Sequence, residues 1–71
     1  MKKMLICGAN GFIGKNLIEY FVDKFDIRAV DINLPDKRRS DVEWLQLDLR
    51  NQNDVKKAVN GVDIILHYAA T

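Results

Sequence analysis

Hydrophobic and polar positions follow two alternating patterns along the chain. Short apolar runs predict four strands, at residues 3–7, 26–31, 44–47 and 62–67. Apolar residues at helical spacing predict a helix over 12–24, and a shorter helix is predicted from residue 51 or 53 to residue 59, where Asn60-Gly61 stops it. A polar loop over 33–41 joins the second and third strands.

This order of elements predicts one α/β unit. The apolar residues of the first helix cover about half of its circumference, which is typical of a helix packed on a sheet. The fourth strand is almost wholly apolar, as expected for a central parallel strand. Right-handed crossovers then predict a doubly wound parallel sheet with strand order 3-2-1-4.

Three glycines, Gly8, Gly11 and Gly14, fall between the first strand and the first helix. Glycine allows a tight turn and a close approach of backbone, and the first amides of the following helix suit an anion such as a pyrophosphate. A side chain at Gly11 is expected to block that approach or to force a disallowed φ. The spacing is G-x-x-G-x-x-G rather than the G-x-G-x-x-G of the dinucleotide fingerprint. Close helix–strand packing is the alternative explanation.

Acidic or small residues follow the other three strands. Asp31 ends the second strand, near the spacing of about 20 residues at which a carboxylate accepts a ribose hydroxyl in dinucleotide-binding folds. Asp48 and Leu49 follow the third strand, and Ala69 and Ala70 follow the fourth. Because ligands bind beyond the carboxyl ends of parallel strands, these residues predict a ligand site at one edge of the sheet.

The motif GANGFIG at 8–14, together with Asp31, Asp48-Leu49 and HYAA at 67–70, resembles the N-terminal part of the extended short-chain dehydrogenase/reductases. More narrowly, it resembles the NAD-dependent epimerase/dehydratase group, which acts on nucleotide-sugars. The resemblance covers residues 2–71 and implies a Rossmann-type fold. Asn10 departs mildly from the family motif, and Cys7 stands where the family often has threonine.

The resemblance also implies which residues hold the cofactor. Asp31 corresponds to the acceptor of the ribose hydroxyl, and Asp48 to the acceptor of the adenine amino group, with the Leu49 amide beside it. The full set of implied cofactor-binding residues is Gly8, Asn10, Gly11, Phe12, Ile13, Gly14, Asp31, Ile32, Asp48, Leu49, Ala69 and Ala70.

The residues around Asp31 bear on the choice of cofactor. A carboxylate accepts a 2′-hydroxyl and repels a 2′-phosphate, which favours NAD over NADP. Arg38 and Arg39 in the polar loop are the counter-argument, since an arginine there can accommodate the phosphate.

The resemblance implies an enzyme that transfers hydride between a nucleotide-sugar and NAD. The family's catalytic Tyr-x-x-x-Lys pair lies beyond the position of Thr71, so residues 1–71 are expected to form the N-terminal portion of a Rossmann domain. Alone, they are expected to be inactive and to self-associate through the exposed fourth strand. Tyr20 and Lys24 match the spacing, but they lie too far along the first helix from the glycine turn to be catalytic. The intact parent is expected to be a homodimer.

Two other functions remain open: an NADP-linked reductase of the same superfamily, and a non-catalytic nucleotide-sensing domain. The charge balance argues against nucleic acid or an acidic membrane as a partner, because 11 basic and 10 acidic residues nearly cancel. One cysteine fits a cytoplasmic protein without disulfides, and a single histidine, His67, predicts no metal site. No apolar stretch is long enough to cross a membrane.

Overall fold

Four parallel strands and two helices form the fold in the computed structural model, which describes residues 1–67. The elements are β1 (Lys3–Cys7), α1 (Phe12–Phe21), β2 (Asp26–Asp31), β3 (Val42–Gln46), α2 (Gln52–Val59) and β4 (Ile64–His67). The strands lie in the order β3-β2-β1-β4, and every pairing is parallel. The predicted Rossmann-type sheet and its strand order are therefore confirmed.

The two helices lie on opposite faces of the sheet, because side chains along each strand point alternately to the two faces. One buried cluster packs with residues of α1 and contains Met4, Ile6, Ala9, Ile18, Ile27, Ala29 and Val42. The other contains Leu5, Cys7 and Val30 together with Ala58 of α2. Both faces of β1 are thus covered, as its position inside the sheet requires.

Helix α1 ends at Phe21, three residues before the predicted end. The amide of Val22 still donates to Ile18 O, but the amides of Lys24 and Phe25 both donate to Phe21 O and close a turn. Phe25 packs against the α1-face core, and the chain enters β2 directly afterwards. The apolar pattern continues through this turn because Phe25 is a core residue outside the helix.

The third and fourth strands also differ from the prediction. β3 begins two residues early because Val42 is buried on the α1 face, and it ends at Gln46. β4 begins two residues late because the amide of Val62 donates to Val59 O in the turn that follows α2. Within residues 1–67, β4 pairs only with β1 and lies at the sheet edge, where Ile65 is 54% exposed.

Arg28 lies in the middle of β2, and its side chain holds the end of α2 against the sheet. Its side chain is buried, and its Nη1 donates to Lys57 O, Ala58 O and Asn60 O at the end of the helix. Its Nε donates to Glu43 Oε1 at 2.8 Å, and this bond, followed by one from Lys3, lowers the pKa of the Glu43 carboxyl. The guanidinium satisfies carbonyls that the helix end would otherwise leave unpaired.

The other end of α2 holds the loop that follows β3. The Asn51 side chain caps the helix by accepting from the amides of Asn53 and Asp54. Asp54 in turn accepts a hydrogen bond from the amide of Asp48 at 2.8 Å. Both ends of this short helix are therefore tied to polar groups near the sheet. In the described part of the chain, no helix is long and apolar enough to cross a membrane.

Candidate functional site

A cleft of about 450 Å³ opens at the carboxyl ends of the strands. The glycine turn after β1, the end of β2, the loop after β3 and the end of β4 all contribute to it. Its lining residues are Gly8, Gly11, Val30, Asp31, Ile32, Leu47, Asp48, Leu49, Arg50 and His67. The cleft lies at the sheet edge where the sequence predicts a ligand site.

The glycine turn is anchored to β2 and is shaped by Gly8. The amides of Gly8 and Ala9 both donate to Val30 O, at 3.0 and 3.2 Å. Gly8 has a φ of 73°, a conformation that residues with a Cβ rarely adopt, and its carbonyl accepts from the amide of Gly11. This turn directs the chain into α1 beside the cleft.

The other two glycines are required for different reasons. A Cβ at Gly14 would lie within 3 Å of backbone atoms of Gly8 and Ala9, so this glycine allows α1 to pack directly against the turn. Gly11 has an ordinary φ of −75°, and a Cβ there would meet only Gly8 O, at 3.3 Å. The expected alternative of a disallowed φ at Gly11 is therefore wrong. At Gly14, close packing of the helix against the turn therefore accounts for part of the motif.

The N-terminus of α1 leaves donors available beside the cleft. Gly11 is the N-cap and supplies no side-chain hydrogen bond, and the first helical bond runs from Lys15 N to Gly11 O. Among residues 1–67, the amides of Phe12, Ile13 and Gly14 have no acceptor. Three free amides at the positive end of a helix dipole fit a pyrophosphate, and the bare Cα of Gly11 leaves room for one.

Asp31 lines the cleft and also accepts hydrogen bonds from two neighbouring backbone segments. Its Oδ2 accepts the amide of Asn10 at 3.0 Å, and its Oδ1 accepts the amide of Asn33 at 3.1 Å. Each oxygen retains a second acceptor position, so the carboxylate can still accept a ribose hydroxyl. Ile32 follows it with its side chain 53% exposed and its carbonyl bonded to Gln46.

Asp48 stands on the opposite wall of the cleft in a pair with Arg50. The Arg50 side chain and backbone amide both donate to the carboxylate, and these bonds hold the pKa of Asp48 below its ordinary value. Four cleft residues were not predicted from the sequence: Val30, Leu47, Arg50 and His67. Val30, Leu47 and His67 lie at or next to strand ends, which is a signal that could have included them, whereas Arg50 lies four residues after β3 and had no such signal.

The structure does not bring every predicted residue into the cleft wall. Phe12 and Ile13 are exposed at the start of α1, where only their amides bear on the site. Asn10 lines a second cavity, between α1 and the loop, but its amide bonds to Asp31. Ala69 and Ala70 lie outside the described residues.

The basic loop does not reach the cleft beside Asp31. Arg39 pairs with Asp41 and with Glu19 of α1, each at 2.9 Å, and the Nε of Arg38 donates to Pro35 O. Neither arginine lines the cleft. The pairing with Glu19 instead ties the loop to α1.

The side chains of Tyr20, Lys24 and Cys7 do not line the cleft. The ammonium of Lys24 lies 4.5 Å from the centre of the Tyr20 ring, at the end of α1 remote from the glycine turn. Cys7 is a buried free thiol at the end of β1, and burial raises its pKa. The positions of Tyr20 and Lys24 agree with the expectation that this pair lies too far from the glycine turn to be catalytic.

Sequence comparison identifies two kinds of relative. The auxiliary protein GraX of Staphylococcus aureus is 32% identical over 68 residues, covering 93% of this chain and 22% of GraX. A 3-beta-hydroxysteroid dehydrogenase of Mycolicibacterium neoaurum is 31% identical over 70 residues, covering 96% of this chain and 19% of the enzyme. The chain thus spans about a fifth of the length of these curated relatives.

Solved structures share the fold over nearly the whole chain. Uronate dehydrogenase from Agrobacterium tumefaciens superposes with a TM-score of 0.84 and 32% identity, over 94% of this chain and 26% of the enzyme; a variant of that enzyme has been solved with NAD. UDP-N-acetylglucosamine 4-epimerase from Bacillus cereus superposes with a TM-score of 0.80 and 25% identity, over 100% of this chain and 23% of the enzyme.

The family model of the 3-beta hydroxysteroid dehydrogenase/isomerase family matches residues 5–71. This range includes the glycine turn, both acidic strand ends, the last three residues of β1 and the other three strands. The chain therefore belongs to the 3-beta hydroxysteroid dehydrogenase/isomerase family, within the short-chain dehydrogenase/reductase group of NAD-dependent dehydrogenases and epimerases that its sequence resembles.

Proposed function

We propose that this protein is an NAD-dependent enzyme that oxidises or epimerises a nucleotide-sugar, and that residues 1–67 hold the adenosine and pyrophosphate parts of NAD. The observation that carries the proposal is the meeting of the free amides of residues 12–14 and the Asp31 carboxylate beside one cleft. Donors suit the phosphates and an acceptor suits the ribose, so the two groups match two adjoining parts of a dinucleotide.

Two features support NAD over NADP. The Asp31 carboxylate lies in the cleft wall, where it would repel a 2′-phosphate. Arg39, which could offset that repulsion, is already paired with Glu19 and Asp41. NAD or NADH is also present in related structures, including a 4-hydroxyisoleucine dehydrogenase.

The relatives support this class of reaction. They include a uronate dehydrogenase, a UDP-sugar epimerase and a 3-beta-hydroxysteroid dehydrogenase. NAD supplies a hydride acceptor when bound, and the residues described here bind and orient it. The UDP-sugar epimerase favours a nucleotide-sugar, whereas the uronate dehydrogenase is named for a sugar acid. The steroid enzyme makes a sterol hydroxyl the alternative substrate.

A second candidate function is nucleotide sensing without catalysis. It is favoured by the 32% identity to GraX, which is named as an auxiliary protein. The two functions share the cofactor cleft and differ in turnover. The test measures NAD binding by the full-length protein and NAD reduction in the presence of UDP-sugars, uronates and sterols. Binding of NAD without its reduction by any of these substrates would favour the sensing function.

Replacing Gly11 with valine tests the proposed cofactor site. The side chain would project where the pyrophosphate is placed, so NAD affinity should fall at least tenfold, about 1.4 kcal/mol. Thermal stability should fall only slightly, because a Cβ at this position meets a single carbonyl at 3.3 Å. NAD affinity by calorimetry and melting temperature are measured on the same preparation of full-length protein.

Gly11→Ala is the matched control, since its smaller side chain should weaken NAD binding less than valine does. If Gly11→Val retains wild-type NAD affinity in a folded protein, the pyrophosphate does not bind at this turn and the proposed function fails.

Replacing Asp31 tests the choice between cofactors. Asp31→Ala should weaken NAD binding by about 1 to 3 kcal/mol, because a charged hydrogen-bond acceptor is lost. The ratio of NADP to NAD affinity should rise, because the repulsion of the 2′-phosphate is removed. Calorimetric titration with both cofactors gives the ratio.

Asp31→Asn separates this effect from damage to the turn. Its amide oxygen can still accept the Asn10 amide while the charge is gone, so it should raise the same ratio with less loss of stability. An unchanged ratio in both variants would show that Asp31 does not contact the ribose.

A further inference from the structure

A carboxylate–guanidinium pair, Asp48 and Arg50, forms part of one wall of the cleft. Arg50 donates three hydrogen bonds to Asp48: its backbone amide at 2.9 Å and its Nε at 3.1 Å to Oδ1, and its Nη2 at 3.0 Å to Oδ2. The Arg50 side chain is 88% exposed, so the pair contributes little to folding stability. Both residues line the cleft, which makes a role in ligand recognition the better explanation.

The three bonds leave the carboxylate with little remaining capacity. Each oxygen of an ionised carboxylate offers about two acceptor positions. Within residues 1–67, both positions of Asp48 Oδ1 are filled by Arg50, and one position of Oδ2 is filled. One acceptor position therefore remains, and it belongs to Oδ2.

The backbone of Asp48 is fixed as well. Its amide donates to Asp54 Oδ2 at 2.8 Å, in the first turn of α2. Asn51 caps that helix, and Arg28 holds its other end. The free position on Oδ2 is thus presented by a side chain that is held through both its backbone and its carboxylate.

We propose that Arg50 is a positioning residue that makes the cleft selective for a base with an exocyclic amino group. By filling the other acceptor positions of Asp48, it leaves Oδ2 to accept one hydrogen bond from the amino group of adenine. This inference rests on the proposed binding of NAD. A base with a carbonyl oxygen at the same place would set that oxygen against the carboxylate and bind more weakly.

The effect of Arg50 is one of preorganisation. Without the guanidinium, the Asp48 side chain must be ordered when the nucleotide binds, and ordering one side chain weakens binding about threefold to tenfold. The same mobility lets the carboxylate turn away from a carbonyl oxygen. Loss of Arg50 should therefore reduce discrimination between bases, with NAD affected most.

The test compares NAD with its analogue in which hypoxanthine replaces adenine. Calorimetry on the full-length protein should show that wild type prefers NAD. Arg50→Gln should reduce the ratio of the two affinities about threefold to tenfold, chiefly by weakening NAD. Asp48→Ala should abolish the preference, and Arg50→Gln should then change nothing further. Lys56→Gln removes the same charge from an exposed position on α2 outside the cleft and should leave the ratio unchanged.

Three results would overturn the proposal alone. Unchanged affinities for both nucleotides in Arg50→Gln would show that the guanidinium does not set the selectivity of Asp48. Equal weakening of both nucleotides would show that Arg50 acts on a part they share. If the wild-type protein binds NAD and its analogue equally well, this proposal is refuted and the proposed function stands. If the wild-type protein binds neither nucleotide, both this proposal and the proposed function are refuted.

Discussion

Replacing Gly14 with alanine should lower the free energy of unfolding by about 3 kcal/mol or more. The new Cβ would lie within 3 Å of Gly8 O and of two backbone atoms of Ala9. These are backbone atoms of the turn and cannot move aside as a flexible side chain can. Helix α1 would have to shift away from β1 and open the core that Ile18 shares with the sheet. Denaturant unfolding of the full-length protein measures the loss.

Gly11→Ala is the matched control for this prediction. Both changes add one methyl group in the same motif, but a Cβ at Gly11 meets only one atom, at 3.3 Å. Gly11→Ala should therefore cost much less stability than Gly14→Ala. Equal losses would mean that the direct contact between α1 and the turn does not limit stability.

Replacing Arg28 with methionine should lower the free energy of unfolding by about 3 kcal/mol. Methionine fills similar space but donates no hydrogen bond, so the buried Ala58 carbonyl and the other two carbonyls at the end of α2 lose their partner. Glu43 also loses its closest cation. Because α2 has only 8 residues, the loss of this attachment should loosen the whole helix. Hydrogen exchange of the α2 amides and denaturant unfolding measure both effects.

Two variants control for this change. Arg38→Met removes a loop arginine whose side chain, within residues 1–67, bonds only to Pro35 O, and it should shift stability by less than about 0.5 kcal/mol. Arg28→Lys retains the charge but cannot reach Glu43 and the helix end together, so its stability should be intermediate. If Arg28→Met is as stable as wild type, apolar packing alone holds α2 in place.

The sequence predicted the fold well because its local signals agree with each other. The bounds of β1 and β2 follow from apolar runs bracketed by polar residues, and the end of α2 at Val59 follows from the Asn60-Gly61 stop. Errors arose where a core residue lies outside a regular element. Phe25 extends the helical pattern past the end of α1, and Val62 extends the apolar pattern ahead of β4.

The site could be predicted only in part. Strand ends show which residues share an edge of the sheet, and Gly8, Gly11, Asp31, Ile32, Asp48 and Leu49 do line the cleft. The distinct requirement for each glycine depends on φ angles and on distances to backbone that no spacing reveals. The apolar pattern of β2 likewise gave no sign that Arg28 holds α2, because the Ala58 carbonyl that it bonds lies 30 residues further along the chain.

The sequence by itself determined the order of strands and helices, the edge of the sheet where the cleft opens and the family of the protein, because each depends on local pattern and short motifs. Only the tertiary structure decided which side chains face one another across the cleft. In the structure Asp48 pairs with Arg50, and Asp31 accepts a hydrogen bond from the Asn10 amide in the glycine turn. Arg39 forms an ion pair with Glu19. These contacts depend on side-chain directions and on distances between separate elements, which the linear pattern does not encode.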